Sequence, residues 1–240
     1  MWIRQALLFM IVLAVAGLPA RAADLPEGFV YLRDVVPDIH QAMRYAGRKN
    51  FMRRRLPGYG AAECVLSRDA AKALGKVQNA AVQKGYTLVV FDCYRPQSAV
   101  EAMAAWVRQG GGTDPGYHPN VSRSRLVAEG YIGTKSSHAR GSTVDVGFDV
   151  LDGTRADGEP PVCNRRDRET VDFGTPFDCF DPASNTDSGA VSGRALAYRK
   201  TLVGLMRQGG FRNYAGEWWH FTLNGEPFPD RSFDFEIGPR

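Results

Sequence analysis

Two short segments that lie far apart in the chain carry the side chains that most constrain its fold. Residues 136–145 read SSHARGSTVD and include His138 and Asp145. Residues 217–220 read EWWH and include Glu217 and His220. Together the segments supply two imidazoles, one carboxylate that can bind a metal and one further carboxylate. A catalytic zinc site uses this set, so the fold is expected to bring the two segments together.

The chemistry of these side chains suggests a role for each. Two neutral imidazoles and the Asp145 carboxylate hold zinc in four-coordinate geometry and leave one position for water. Zinc shifts the pKa of that water towards neutrality. Glu217 is then suited to take the proton and pass it to a leaving amine. The short metalloprotease helix motif His-Glu-x-x-His is absent from the sequence, which excludes that fold.

Arg95 is the candidate for stabilising the negative oxygen that develops in a tetrahedral intermediate. It follows a predicted strand, 86–91, at the point where the strand gives way to a loop. A rigid guanidinium at such a position can reach into a cleft. Pairing with a surface carboxylate is the alternative. The other two histidines, His40 and His118, are expected to be exposed rather than ligands.

The N-terminal residues predict export. Arg4 precedes an apolar run, 6–18, that is too short to span a bilayer comfortably. Residues 20–22 read ARA and fit a small-x-small cleavage site, so 1–22 are predicted to be a secretory signal peptide. An uncleaved N-terminal anchor is the alternative. The mature chain is expected in the periplasm, with no stable membrane span.

Residues 23–240 are predicted to form a single domain. The 240-residue chain is 44% hydrophobic and 23% charged, which is ordinary for one globular domain that can bury a sizeable core. The formal net charge is +4, and basic residues cluster only at 48–49 and 53–55. A solvated loop is favoured there over nucleic-acid contact, because no nucleic-acid motif accompanies the cluster.

The four cysteines are even in number, and export would place them in an oxidising compartment, which favours two disulfides. Three pairings are possible. The most economical joins Cys64 to Cys93 and Cys163 to Cys179, since the second bond would close one loop-rich stretch. Zinc binding by the cysteines is disfavoured because no Cys-x-x-Cys pair occurs. Free buried thiols are the remaining alternative.

Periodicity and capping signals predict helices over 67–84, 97–108 and 195–208, with Ser67 as the N-cap of the first. Strands are predicted over 29–32, 86–91, 142–150 and 218–223. The segment around Tyr45, Asn50 and Phe51 is expected to be a surface loop. Composition there favours an exposed Tyr45 over a residue at the rim of a pocket.

Two long polar loops, 151–161 and 163–182, are expected to be lids or walls of a cleft. Asp178, between a phenylalanine and a cysteine, could present a negative charge to that cleft. The residues after 224 are expected to pack as a tail on the surface.

The two opening segments resemble the paired signatures of the D-alanyl-D-alanine dipeptidases, a family of zinc D,D-dipeptidases of the vancomycin-resistance type and their periplasmic relatives. Three further segments are similar in order: RYA at 44–46 with NF at 50–51, DCYRP at 92–96, and FGTPFD at 173–178. The zinc motif alone is shared by a wider superfamily of D,D- and L,D-peptidases. The additional segments favour the narrower family.

The resemblance implies an α+β fold with a mostly antiparallel central sheet and packed helices, of the D,D-peptidase and hedgehog-like architecture. It implies one zinc ion per chain, bound by His138, Asp145 and His220, with Glu217 as general base and Arg95 as oxyanion stabiliser. It also implies that Tyr45 and Asp178 hold the amino group of a small dipeptide substrate, and that Ser136 holds its carboxylate.

The expected reaction is hydrolysis of D-alanyl-D-alanine to two D-alanines in cell-wall recycling. A D,D-carboxypeptidase that trims peptidoglycan stem peptides is one alternative, and an open cleft would favour it. A zinc-containing binding module without catalysis is another, although Glu217 and Arg95 would be unnecessary there. The oligomeric state is not predicted.

Overall fold

The computed structural model describes residues 25–155 and 162–240. The predicted signal peptide, 1–22, lies outside these residues, as does part of the predicted loop 151–161. Within the described ranges, none of the helices combines the length and the apolar character that crossing a bilayer requires.

The described residues form strands and helices that are interleaved along the chain. The strands are β1 Phe29–Tyr31, β2 His40–Gln41, β3 Val65–Ser67, β4 Tyr86–Asp92, β5 Thr143–Val150, β6 Phe211–Asn213 and β7 His220–Leu223. The helices are α1 Leu32–Val35, α2 Arg68–Val82, α3 Gln97–Arg108 and α4 Gly193–Gln208. Short 3₁₀ turns lie at Arg123–Arg125, Ser137–Arg140 and Pro182–Ser184.

Five strands make the central sheet, in the order β2-β4-β5-β7-β6. Only the edge pair β2–β4 is parallel within the described sheet, and the other three pairings are antiparallel. A second sheet of two strands pairs β1 with β3. The predicted α+β class with a mostly antiparallel central sheet is therefore confirmed.

The core lies against the long central strands. β4 and β5 bury most of their length because α2 packs against β4 and loop residues cover the opposite face. Phe148 of β5 contacts Phe173, whose ring stacks on Trp218 at a centroid distance of 4.1 Å. Buried aromatic side chains thus join the sheet to the loop that follows it, which fixes the position of that loop.

The three predicted helices agree with the observed ones to within two residues at each end. α2 begins after Ser67, whose Oγ accepts a hydrogen bond from the backbone N–H of Ala70 at 3.3 Å. The predicted bounds of α3 match the observed helix, Gln97–Arg108. The last strand is shorter than predicted: it begins at His220, because Trp218 and Trp219 lie in the turn before it with both rings buried.

The prediction of a surface loop around Tyr45 is wrong. Tyr45, Asn50 and Phe51 are all buried. The Asn50 side-chain amide donates to the backbone oxygens of Arg44, Gly47 and Arg54, and its oxygen accepts from Met52 N–H. This buried amide satisfies the turns of the loop internally, so the aromatic residues beside it can face the core.

Two disulfides join residues that lie outside the helices and strands. Cys64, just before β3, is bonded to Cys93, just after β4. Cys163 is bonded to Cys179 within the long loop between β5 and α4. The C-terminal tail packs onto the domain and buries Phe233 and Ile237.

Candidate active site

Three neighbouring strands place polar side chains in one row across the central sheet. Asp92, the last residue of β4, lies opposite Asp145 of β5. Asp145 in turn lies opposite His220, the first residue of β7. The sheet register therefore brings together residues that are far apart in sequence.

His138 reaches the same row from the 3₁₀ turn Ser137–Arg140. The Ser136 hydroxyl accepts a hydrogen bond from His138 N–H at 3.3 Å and so caps the turn. Gly141 ends the turn with a φ of 79°, in the left-handed region that favours glycine. A Cβ at this position would also meet the Phe29 ring. The turn can therefore lead directly into β5 with His138 above Asp145.

Three ligand atoms converge at this point. His138 Nε2 and His220 Nδ1 each lie 3.1 Å from Asp145 Oδ1. The two nitrogen atoms are 3.3 Å apart. Zinc at about 2.0–2.1 Å from each ligand with tetrahedral angles separates its ligand atoms by about 3.3 Å. The donor set and its spacing therefore fit zinc.

The tautomer of His138 strengthens this fit. Its Nδ1 lies 2.7 Å from the backbone oxygen of Cys93, and because a carbonyl can only accept, Nδ1 carries the proton. Burial lowers the pKa of His138 and outweighs the opposing charge of Asp145, so the ring is neutral. The lone pair of Nε2 then faces the Asp145 carboxylate, and a cation between the two satisfies both.

Glu217 lies beside His138, Asp145 and His220 but is not one of the three candidate metal ligands. Its Oε2 is 3.4 Å from His220 Nδ1. Burial raises the pKa of Glu217 to about 7; His220 and Arg95 oppose the shift and Asp145 adds to it. A carboxyl group with a pKa near neutrality can both accept and return a proton.

Arg95 faces the same cluster and is held by two carboxylates. Its Nε donates to Asp92 Oδ2 at 2.9 Å, and its Nη2 donates to Asp145 Oδ2 at 3.4 Å. The guanidinium lies 4.9 Å from the centre of the Tyr45 ring. The alternative of a surface carboxylate partner is wrong, because Asp92 and Asp145 are both buried.

Asp92 is a site residue that the sequence reasoning missed. Its Oδ1 accepts a hydrogen bond from the Tyr59 hydroxyl at 2.6 Å, while Oδ2 binds Arg95. The side chain is completely buried. Its position at the end of a buried strand, three residues before Arg95, was the available signal, since a buried carboxylate needs such a partner.

Tyr45 and Asp178 form a second part of the site, next to the cluster of His138, Asp145 and His220. The Tyr45 hydroxyl donates to Asp178 at 3.0 Å from Oδ1 and 3.2 Å from Oδ2. Burial raises the pKa of Asp178 well above its usual range, although the nearby Arg165 charge opposes the shift. A cationic group placed against Asp178 would relieve the cost of burying its carboxylate.

A cavity of about 280 Å³ joins these side chains. This volume is close to the lower end, about 300 Å³, of the range typical of small-molecule pockets. Its lining includes all the predicted site residues other than the cysteines: Tyr45, Arg95, Ser136, His138, Asp145, Asp178, Glu217 and His220. It also includes residues that were not predicted, among them Lys135, Ser137, Tyr214 and Trp219.

Two of these additions have visible consequences for the site. Ser137 Oγ lies 3.2 Å from His220 Nε2, which fixes the second nitrogen of that ring. Lys135, which is exposed, contributes a basic residue to the lining of the cavity. Ser137 lies inside the segment 136–145, whereas no motif distinguishes Lys135 from an ordinary loop residue.

The other two histidines lie outside the cluster. His118 is buried, contrary to the prediction that it is exposed, and its Nδ1 donates to the backbone oxygen of Val121 at 2.9 Å. His40 is exposed at the edge of the sheet, as predicted.

Comparison with known proteins matches residues 26–237 to a family model described as D-Ala-D-Ala dipeptidase. A D-alanyl-D-alanine dipeptidase of Enterococcus faecium is 32% identical over 88% of this chain and 98% of its own length. A second, from Enterococcus faecalis, is 32% identical over 89% of this chain and its full length. A third, from Streptomyces coelicolor, is 34% identical over 87% of this chain and 98% of its own length.

Proposed function

This chain belongs to the D-Ala-D-Ala dipeptidase family. We propose that its site hydrolyses D-alanyl-D-alanine to two D-alanines. The observation that carries the proposal is the triangle of His138 Nε2, Asp145 Oδ1 and His220 Nδ1, with sides of 3.1, 3.1 and 3.3 Å. These residues would hold one zinc ion. When bound, zinc polarises the substrate carbonyl and acidifies a water molecule.

Glu217 moves the proton. Its carboxylate takes the proton from the attacking water and delivers it to the nitrogen of the leaving D-alanine. The raised pKa of about 7 makes both transfers accessible near neutral pH. A wall of buried aromatic side chains, including Trp219, limits the access of bulk water to this step.

Arg95 stabilises the negative charge that develops on the carbonyl oxygen. Its Nε and Nη2 are engaged by Asp92 and Asp145, which fixes the plane of the guanidinium. Nη1 faces the thioether of Met103 at 3.8 Å, a weak acceptor, so it is the donor left for the substrate oxygen. Asp92 acts through Arg95 and is a positioning residue.

The ends of the dipeptide would be bound by opposite walls. Asp178, with the Tyr45 hydroxyl, provides the negative charge for the substrate ammonium, and Ser136 provides a hydroxyl donor for the carboxylate. Requiring both charged ends excludes longer peptides, because an added residue would leave Asp178 buried without its partner. The similarity of nearly the whole chain to D-alanyl-D-alanine dipeptidases supports the dipeptidase over the carboxypeptidase alternative.

The cellular setting is also part of the proposal. Residues 1–22 act as a signal peptide, 23–240 form one domain, and the mature enzyme works in the periplasm in cell-wall recycling. The two disulfides support an oxidising compartment, since such bonds persist there and are rare in the cytosol.

Selectivity provides the test. Purified 23–240 would be given free D-Ala-D-Ala or a stem pentapeptide that ends in D-Ala-D-Ala, each with and without a chelator, and D-alanine release measured. We expect cleavage of the dipeptide alone, abolished by the chelator. Equal cleavage of the pentapeptide would establish the carboxypeptidase instead. Cleavage of neither, with zinc bound, would indicate a binding module.

A further inference from the structure

Asp178 has an unusual backbone conformation. Its φ is 60°, in the left-handed region that residues other than glycine seldom adopt, although aspartate tolerates it better than most. Such conformations persist where the surrounding structure holds them. The direction of the Asp178 carboxylate, and therefore its contact with Tyr45, depends on what fixes the backbone at this residue.

A covalent bond fixes the very next residue. Cys179 is bonded to Cys163, and both cysteines are completely buried. Beyond Cys179, the backbone N–H of Phe180 donates to Tyr117 O at 2.7 Å. Beyond Cys163, the backbone N–H of Asn164 donates to Pro115 O at 2.8 Å. Both ends of the disulfide are therefore fastened to the same short segment, 115–117.

Most of the surrounding loop has separate support. Arg199 of α4 is completely buried and donates to the backbone oxygens of Phe173, Ala183 and Asn185. These contacts hold the two ends of the loop 173–185 without the disulfide. Beside Asp178, Phe177 N–H donates to Asp167 Oδ2 and Cys179 O accepts from Ser184 Oγ, each at 2.6 Å. Opening the disulfide should therefore loosen the backbone locally at Asp178 while the rest of the loop stays in place.

The Cys64–Cys93 disulfide lies next to the metal-binding part of the site rather than next to Asp178. Cys93, bonded to Cys64, offers its backbone oxygen to Nδ1 of the metal ligand His138. Its removal should therefore disturb metal binding rather than recognition of the substrate amine. The two disulfides thus form a matched pair, each next to a different part of one cavity.

We propose that the Cys163–Cys179 disulfide is a positioning element for substrate recognition: it holds the backbone at Asp178 so that the carboxylate meets the ammonium of the dipeptide. The preference of the enzyme for a free amino terminus depends on this bond. The inference rests on the proposed function, in which Asp178 binds that ammonium.

The test compares Cys163→Ser/Cys179→Ser with Cys64→Ser/Cys93→Ser and with the wild type, all loaded with zinc. The substrates are D-Ala-D-Ala and N-acetyl-D-Ala-D-Ala, which lacks the ammonium. In the first variant we expect KM for the free dipeptide to rise by about tenfold or more, the loss typical of a hydrogen bond to a charged group. The wild type's preference for the free dipeptide in kcat/KM should shrink, with zinc still bound one to one. The second variant should instead bind zinc more weakly.

Coupling to Asp178→Asn provides a second measurement. If the disulfide acts through Asp178, combining Asp178→Asn with the loss of Cys163–Cys179 should raise KM little beyond the single change, because coupled residues are not additive. Cys163→Ala/Cys179→Val fills the same space with apolar groups and serves if the serine pair does not fold.

Two results would overturn the positioning role. One is a fall in melting temperature with the preference for the free amino terminus unchanged. The other is an additive loss in the combined variant. The wild-type assay separately tests the proposed function: if the wild type cleaves neither substrate, that function fails and the positioning role is withdrawn with it.

Discussion

At the scale of single residues, two carboxyl groups in one cavity have opposite properties. Burial alone would raise the pKa of Asp145, but its contacts with His138 and His220, each at 3.1 Å, more than offset burial and hold that pKa below its usual range. Glu217 lacks comparable partners, so burial raises its pKa to about 7. Asp145 therefore stays ionised, as its proposed role as a ligand requires, whereas Glu217 can exchange a proton.

Glu217→Gln separates these roles. We expect D-alanine release to fall by about 10²- to 10⁴-fold, the usual contribution of a general base, because the amide cannot accept the proton. Zinc should remain bound one to one. Glu129→Gln, at an exposed position whose partner is Arg125, is the matched control and should retain activity. Loss of zinc from Glu217→Gln would mean that Glu217 is a ligand.

At the scale of elements, the turn 137–140 depends on one glycine. Gly141→Ala places a Cβ against the Phe29 ring and forces a left-handed φ on alanine, which costs about 1–2 kcal/mol before any clash. We expect lower stability and weaker zinc binding, because His138 would shift. Gly204→Ala in α4, where the space is open, should instead stabilise the protein by about 0.5–1 kcal/mol. Thermal unfolding and zinc titration of both variants provide the measurement, and an unchanged zinc affinity in Gly141→Ala would contradict the account.

The loop after β2 is held to the loop 163–182 by an ion pair. Arg44 donates to both oxygens of Glu169, and its charge and hydrogen bond outweigh the opposing effect of burial, lowering the pKa of Glu169 to about 2. A depressed folded pKa contributes stability above the unfolded value of about 4.5, and this contribution is lost as the pH falls through 2.

Glu169→Gln should therefore lower the free energy of unfolding at pH 7, with the difference from wild type fading towards pH 2. The exposed Glu27→Gln should differ little from wild type at either pH. Denaturant unfolding at a series of pH values measures both variants. A constant gap for Glu169→Gln across that range would exclude the linkage.

Sequence patterns predicted elements well where the signal is local. Ser67 marks the start of α2, and the bounds of α3 follow from its composition. Tyr45 was misplaced because its burial depends on the Asn50 amide satisfying a loop and on Asp178 far along the chain. Trp218 and Trp219 have strand composition, but tertiary packing buries them in a turn.

At the scale of the whole molecule, the site forms where the paired strands β4, β5 and β7 lie next to the loops that carry Tyr45, His138 and Asp178. The clustering of His138, Asp145 and His220 was predictable because these residue types and their local motifs carry the chemistry themselves. Asp92 and Tyr59 were not, because their roles exist only once β4 and β5 pair and the N-terminal loop closes over them. The proposed metal- and substrate-binding residues are of the first kind, and residues of the second kind fix the geometry of the site.

The most direct measurement is a zinc titration of the metal-stripped domain, 23–240, with D-alanine release from D-Ala-D-Ala as the readout. We predict that activity rises linearly and reaches a plateau at one equivalent of zinc. His220→Ala should bind less than one equivalent and stay inactive, since it removes one corner of the ligand triangle. Activity in the metal-stripped protein, or a full equivalent of zinc with normal turnover in His220→Ala, would contradict the account.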